Sequence, residues 1–189
     1  MSGLLGMSCD MRLSSFIAEK RRNVEIKARV SDLPLLFTRV RSIADSGPTL
    51  SHQDDTFYRV PWGRLKLRRF AEGDAVLVLY DRPDRPEAKE SRYCLIETCA
   101  PEALGERLSR RYGICGRVMK ERMLFLVGNT RVHLDRVKGL GQFVELEVVL
   151  KGKERVESGI ETAQRLMKHL GISNDALIDK AYVDLLNGR

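Results

Sequence analysis

Several common signatures of function are missing from this chain. It has only three histidines, and its four cysteines, Cys9, Cys94, Cys99 and Cys115, form no CxxC pair, so a structural zinc site has no ligand set to draw on. Thiols spaced this way read as reduced side chains of a cytosol-like compartment, with Cys94 and Cys99 packed. No apolar run is long enough to span a bilayer, which argues against a membrane protein. One Trp and six Phe, without an aromatic-basic RNA-binding signature, disfavour nucleic acid. No GxxxxGKS or GxxxxGKT loop is present, so any phosphate must be held by side chains. Residues 1–22 show no apolar segment followed by a cleavage site, and a secretory signal is not expected. Arg12, Lys20, Arg21 and Arg22 with Ser14 and Ser15 have a mitochondrial-presequence flavour, but Asp10 and Glu19 oppose it. Residues 1–21 therefore read as a flexible arm and the location as cytoplasmic, with mitochondrial import the weaker alternative.

What is present is enough chain for one sizeable domain, taken as residues 22–189 of the 189. The net charge of +7 calls for an anionic partner, and a phosphorylated small molecule is the sharper candidate. Strict alternation predicts strands over 23–30, 53–60, 64–70, 75–81, 91–99, 116–127, 130–136 and 142–150. Turns at Pro61-Trp62-Gly63, Glu72-Gly73-Asp74, Gly128-Asn129 and Lys138-Gly139-Leu140-Gly141 join several as hairpins, so they are antiparallel. Trp62 is read as packing there. Helical spacing covers 32–45, capped by Ser31 or Asp32 with Pro34 in the first turn. Two further helices run from Pro101 to about Tyr112, closed by Gly113, and over 154–170, stopped by Gly171. One or two short helices end the chain.

The faces of these strands are unusual. Asn23, Glu25, Lys27 and Arg29 oppose Val24, Ile26, Ala28 and Val30, and the polar faces elsewhere carry both signs of charge. A closed barrel would put them inside a wet tunnel, with the apolar faces under helices. A sandwich would put them in solvent. Alternation alone does not separate the two. The acidic set is Glu25, Asp135, Glu145 and Glu147. Glu145 and Glu147 lie two apart on one strand and so on one side of it. Clustered carboxylates raise one another's pKa unless a cation neutralises them, and oxygen ligands select Mg²⁺ or Mn²⁺. The basic set is Lys27, Lys66, Arg68, Arg82, Lys89, Lys120 and Arg122. It contains two further pairs spaced two apart, suited to surrounding a chain of phosphates. His133 shares a strand face with Asp135 and reads as a wall residue ahead of a proton shuttle.

Asn23-Val24-Glu25-Ile26-Lys27 resembles the E-x-E-x-K strand of the CYTH superfamily, the triphosphate tunnel metalloenzymes, with Asn23 at the first Glu. Further segments are similar in order. They are Gln53-Asp54-Asp55-Thr56-Phe57-Tyr58, Leu65-Lys66-Leu67-Arg68, and Tyr80-Asp81-Arg82-Pro83-Asp84 with Lys89 and Ser91. Val118-Met119-Lys120-Glu121-Arg122, His133-Leu134-Asp135 and Gly139-Leu140-Gly141-Gln142-Phe143-Val144-Glu145-Leu146-Glu147 follow. Ala181-Tyr182-Val183-Asp184-Leu185-Leu186 resembles the family's S-Y-x-x-L-L ending. The likeness spans roughly residues 22–187 and leans toward the class IV adenylyl cyclase-like and thiamine triphosphatase-like branch.

The resemblance implies a mainly β, α+β fold: a closed eight-stranded antiparallel barrel with helices packed outside. It implies metal ligands Glu25, Asp135, Glu145 and Glu147 for Mg²⁺ or Mn²⁺. It implies a triphosphate held by Lys27, Lys66, Arg68, Arg82, Lys89, Lys120 and Arg122, with Glu25, Lys27 and Arg122 catalytic and Tyr182 closing one mouth. Asn23 withdraws one negative charge, which implies that a second metal is held less well than the first. The expected activity is metal-dependent hydrolysis of ATP, thiamine triphosphate or tripolyphosphate by a monomer or homodimer. The alternatives are cyclisation of ATP to cyclic AMP and pyrophosphate, or phosphate and polyanion binding without turnover.

Overall fold

The computed structural model describes residues 21–188. The expected arm over 1–21 falls outside them except for Arg21, which opens the first strand. Eight strands follow the predicted order: β1 (Arg21–Arg29), β2 (Ser46–Tyr58), β3 (Arg64–Phe70), β4 (Ala75–Asp81), β5 (Lys89–Glu97), β6 (Ile114–Val127), β7 (Thr130–Val137) and β8 (Gly141–Leu150). The helices are α1 (Leu33–Ile43), α2 (Pro101–Tyr112), α3 (Val156–Leu170) and α4 (Tyr182–Leu186). None of the described helices is long and apolar enough to cross a membrane.

Neighbouring strands run in the order β1-β5-β4-β3-β2-β6-β7-β8, and β8 pairs back onto β1 to close an antiparallel barrel. Register is set by the apolar faces. Val24, Ile26 and Ala28 on β1 and Leu146 and Val148 on β8 are fully buried on the outside of the sheet. Burying such a Val, Ile or Leu is worth about 1.5–3 kcal/mol, so a one-residue slip of β1 or β8 would forfeit several kcal/mol. The same register fixes Asn23, Glu25 and Lys27 on the inner face.

Helices α1 and α3 cover that apolar surface: Leu33, Leu36, Val40, Met167 and Leu170 pack with Ile26, Phe125, Val132 and Leu146. Asp32 caps α1 through Leu35 N at 2.9 Å, as its sequence predicts. Gly159 lets α3 lie close on β1 and β8, since a Cβ there would fall 2.7 Å from Val24 Cγ2. Helix α2 covers Tyr58, Leu65 and Leu67 with Leu104, Leu108 and Tyr112. At the end of the barrel made by the end of β1 and the start of β8, α4 inserts Tyr182 and Val183 among Phe57, Val118, Val137 and Phe143.

Four expectations need correction. Strand β2 begins at Ser46, well before 53, and pairs with β6 from Ser46↔Leu126 onward, with an irregularity before Thr49. Its first half is mostly polar on both faces, so alternation gives no signal there and backbone pairing to β6 carries it. Strand β5 begins at Lys89, shortening the loop before it. Trp62 and Cys99 are exposed rather than packed.

Candidate functional site

The inner faces enclose a cavity of about 450 Å³. Its walls carry Lys27, Lys66, Arg68, Arg82, Lys120, Arg122 and Arg131 against Glu25, Asp55, Glu145 and Glu147. Positive charge is therefore in excess inside, which suits a polyanion. A groove of about 680 Å³ on the outer face, near Met119, is larger. Its Glu121 is already paired with Arg136 at 3.2 Å and lies 3.6 Å from His52, so it offers no comparable set of converging charges.

The cationic wall is organised by Asp55, which is fully buried. It accepts from Lys66 Nζ at 2.8 Å, Arg68 Nε at 2.7 Å and Nη2 at 2.8 Å, and Lys120 Nζ at 2.9 Å. Burial opposes its charge, but Arg68, Lys120 and Lys66 hold its carboxyl well below the usual range. One carboxylate cannot satisfy three cations. Burial brings Lys120 down to about 7; Asp55 opposes this, while Arg68, Lys66 and Arg122 repel its charge and help lower it. Burial, together with repulsion from Arg68, brings Lys66 to about 8. These side chains carry residual charge that a bound anion would satisfy.

The opposite wall is acidic. Across the β1–β8 pair Glu25 faces Glu147 and Lys27 faces Glu145. Arg122 donates to both oxygens of Asp135 at 2.7 and 2.6 Å and to Glu145 at 2.6 Å. Lys27 Nζ lies 3.3 Å from Glu145 and 4.0 Å from the centroid of the Tyr182 ring. Burial disfavours the Glu145 charge, but Lys27 and Arg122 outweigh it and hold this carboxyl well below its ordinary value. Glu147 sits 2.9 Å from Arg131 and 3.4 Å from His133, and is held at about 2 by both against its burial. Glu25 differs. Burial, then repulsion from Glu145 and Glu147, raises its pKa despite Arg82 at 3.1 Å.

The structure brings Glu25, Glu145 and Glu147 together with Lys66, Arg68, Lys120 and Arg122 around one cavity. Two predicted residues sit elsewhere. Asp135 is fully buried behind the wall, held by Arg122 and by the Tyr182 hydroxyl, which donates to it at 2.9 Å. Lys89 is also fully buried and turns Nζ to the Arg85 carbonyl at 2.5 Å instead of lining the cavity. Tyr182 stands at the α4 end, 4.9 Å from the Phe143 ring. Asp55 was absent from the acidic set read from the sequence, although its place two residues from Gln53 and Phe57 on an alternating strand marks it as inward. Arg131 and Tyr93, joined at 2.7 Å, were also missed. The expected β7 strand already put Arg131 on the His133 face.

The profile of the CYTH domain matches residues 21–182. The chain belongs to the CYTH family. Its barrel is similar to the PH1012 protein of Pyrococcus horikoshii OT3, with a TM-score of 0.78, 22% identity and coverage of 86% of this chain and 98% of that one. It is similar to a candidate adenylate cyclase of Vibrio parahaemolyticus, with a TM-score of 0.74, 21% identity and coverage of 89% and 99%. It is also similar to HpAC1 of Hippeastrum, a candidate adenylyl cyclase described as having a dominant triphosphatase activity. There the TM-score is 0.58, the identity 18% and the coverage 88% and 96%. At these identities the likeness shows the fold alone. No curated protein sequence matches the chain.

A CYTH fold implies a divalent cation, and the inner wall provides a test of fit. Among the described residues no three carboxylate, imidazole or thiol groups converge as a formed coordination sphere. The donor chemistry fits nevertheless. Glu25 and Glu147 are opposite one another, Glu145 is one step along the strand, and the mutual repulsion that raises Glu25 is what a cation would relieve. Asn23 Oδ1 is buried on the same face of β1 with no hydrogen-bond partner. Asp135 is engaged by Arg122 and Tyr182 and does not line the cavity with these three.

Proposed function

We propose that this CYTH protein hydrolyses a triphosphate inside its barrel with the help of Mg²⁺ or Mn²⁺. The observation that carries the reading is the barrel cavity in which a cationic wall, under-neutralised by Asp55, faces an acidic wall.

Lys66, Arg68 and Lys120 would take triphosphate oxygens in place of part of their contact with Asp55. Arg122 keeps its charge throughout the working pH range and would stabilise the charge that develops on the transferred phosphoryl group. Asp135 acts through Arg122, fixing its guanidinium from behind. Lys27, beside Glu145 and over the Tyr182 ring, would bridge the carboxylates and the phosphates. Arg82, next to Glu25, tempers the charge of that carboxylate. Glu25, Glu145 and Glu147 would hold the divalent ion, with the Asn23 amide oxygen adding one neutral donor. When bound, that ion polarises a phosphoryl oxygen and makes water a better nucleophile at neutral pH. Glu25 serves the reaction as the least compensated carboxylate of this set.

The test is product analysis after incubation with tripolyphosphate, ATP and thiamine triphosphate and either metal. Metal-dependent release of orthophosphate is expected. Cyclic AMP with pyrophosphate would replace hydrolysis by cyclisation, and thermal stabilisation by triphosphate without any turnover would leave a binding protein.

A further inference from the structure

One buried side chain in the cavity has no part in the arrangement above. Of the three histidines, His52 and His169 are exposed and His133 is buried. It faces the cavity from β7, beside Leu124 on β6 and Glu145 on β8. Neither Nδ1 nor Nε2 has a hydrogen-bond partner. Its neighbours explain why. Leu124 offers no polar side-chain atom. Glu145 is already held by Arg122 at 2.6 Å and Lys27 at 3.3 Å. Glu147 Oε2 lies 3.4 Å from His133 Nε2, without the geometry of a hydrogen bond. Buried polar atoms are seldom left unpaired, and a ring with both nitrogens unpaired calls for a ligand.

The position of the ring says which kind. Strand β8 lies between β7 and β1, so Glu145 and Glu147 have His133 on one flank and Glu25 on the other. Two ligand atoms each about 2.1 Å from one ion lie roughly 3.0–3.4 Å apart, from octahedral to tetrahedral angles. The separation of 3.4 Å between Nε2 and Glu147 Oε2 falls at the upper edge of that range. Arg131 Nε also stands 2.9 Å from this oxygen, but a carboxylate has about four lone-pair directions and can serve both. An imidazole nitrogen with no hydrogen bond to give up is a ready metal ligand.

Resting on the metal-dependent reading above, we propose that His133 Nε2 ligates the divalent ion together with Glu147 and makes the site choose Mn²⁺ over Mg²⁺. Carboxylates alone accept either ion. Mg²⁺ keeps to oxygen ligands and water in near-ideal octahedral geometry. An imidazole favours first-row transition ions, and Mn²⁺ is the member of the pair that takes it. His133 is thereby a residue of metal choice on the β7 flank, where the expected ligand Asp135 does not reach the cavity.

Electron spin-echo envelope modulation of the Mn²⁺-loaded parent protein tests this without turnover and without any substitution. Coupling to a directly bound imidazole nitrogen is expected, and it should vanish in His133→Phe. Titration calorimetry of the same two proteins supplies the second read-out. His133→Phe should raise the Mn²⁺ Kd at least about tenfold and the Mg²⁺ Kd less than about threefold. Bound Mn²⁺ without nitrogen coupling overturns the proposal and leaves the carboxylate wall standing. Coupling that persists in His133→Phe belongs to another histidine and overturns it too, as does an equal loss of both ions, which marks a merely structural ring. A parent protein that binds no Mn²⁺ overturns the proposal and the metal-dependent reading together.

Discussion

Asp55→Asn removes the carboxylate on which Lys66, Arg68 and Lys120 converge. The amide keeps the shape of the side chain but loses its charge, and turns an N–H donor toward donors. Breaking a buried charge cluster by deleting one partner typically costs about 3–5 kcal/mol. For a chain of this size each kcal/mol lowers Tm by roughly 2–4 °C, so the fall should be about 6–20 °C. The loss depends on pH in a definite sense. Lys120 and Lys66, already brought down to about 7 and about 8, can shed their protons in the variant, whereas Arg68 cannot. The fall in Tm should therefore be larger near pH 6 than near pH 9, where the lysines enter as neutral amines. A triphosphate replaces the missing anion, so saturating tripolyphosphate should raise Tm more in the variant than in the parent. Scanning calorimetry of both proteins at the two pH values, with and without tripolyphosphate, decides the matter. Equal losses at both pH values, or a smaller ligand-induced rise in the variant, would refute the account of Asp55 as the internal counter-anion of the cradle.

Bound phosphate would raise the pKa of Lys120 and Lys66 from about 7 and about 8, so binding takes up protons above those values and affinity weakens as pH rises through them. Calorimetry between about pH 6 and 9.5 should show this weakening, with its lower-pH part removed in Lys120→Met; an affinity flat above about pH 8 contradicts it. Gly116→Ala drives a Cβ into Val183 on α4, so it should cost about 1–3 kcal/mol and shift the neighbouring Tyr182, lowering tripolyphosphate hydrolysis together with Tm. Retention of both would show that β6 and α4 are not tightly apposed. Asn23→Glu adds a carboxylate on the face that already carries Glu25, so it should lower Tm in EDTA and enlarge the Tm rise caused by Mn²⁺. An unchanged Mn²⁺ response would remove Asn23 from the metal-binding wall.

Most strands were legible because their apolar residues alternate, as Val24, Ile26 and Ala28 do. Barrel closure was not legible that way. It depends on β1 pairing with β5 on one side and β8 on the other, contacts far apart in sequence that leave no local trace. The ordered motifs of the CYTH resemblance supplied that decision. Glu25, Glu145 and Glu147 were readable as one set because their strand parity is fixed by apolar neighbours. Asp55 escapes because spacing marks it only as inward, while the convergence of Lys66, Arg68 and Lys120 on it joins strands with no local trace in the sequence. Asp135 shows the converse. Its parity is inward and its chemistry is right, but whether a carboxylate reaches the cavity or is covered by a neighbouring arginine is decided by side-chain direction, which spacing does not encode.

The ion pairs inside the barrel connect the two halves of the proposed site. Arg122 holds Glu145 on the acidic wall while lying among the cations that would receive phosphate, and Lys27 does the same from β1. An anion that takes up Arg122 and Lys27 loosens their hold on Glu145 and leaves it with uncompensated charge beside Glu25 and Glu147. That is the condition under which a divalent cation binds best. A cation that takes Glu145 releases Arg122 and Lys27 for the anion in the same way. In the proposed function each ligand would free the other's binding groups, so the two would be thermodynamically linked through Glu145, reciprocally. The absence of a ready-made three-carboxylate cluster among the described residues then follows from the same ion pairs that fill the cavity, since the carboxylates that would receive the metal are holding the cations that would receive the phosphate.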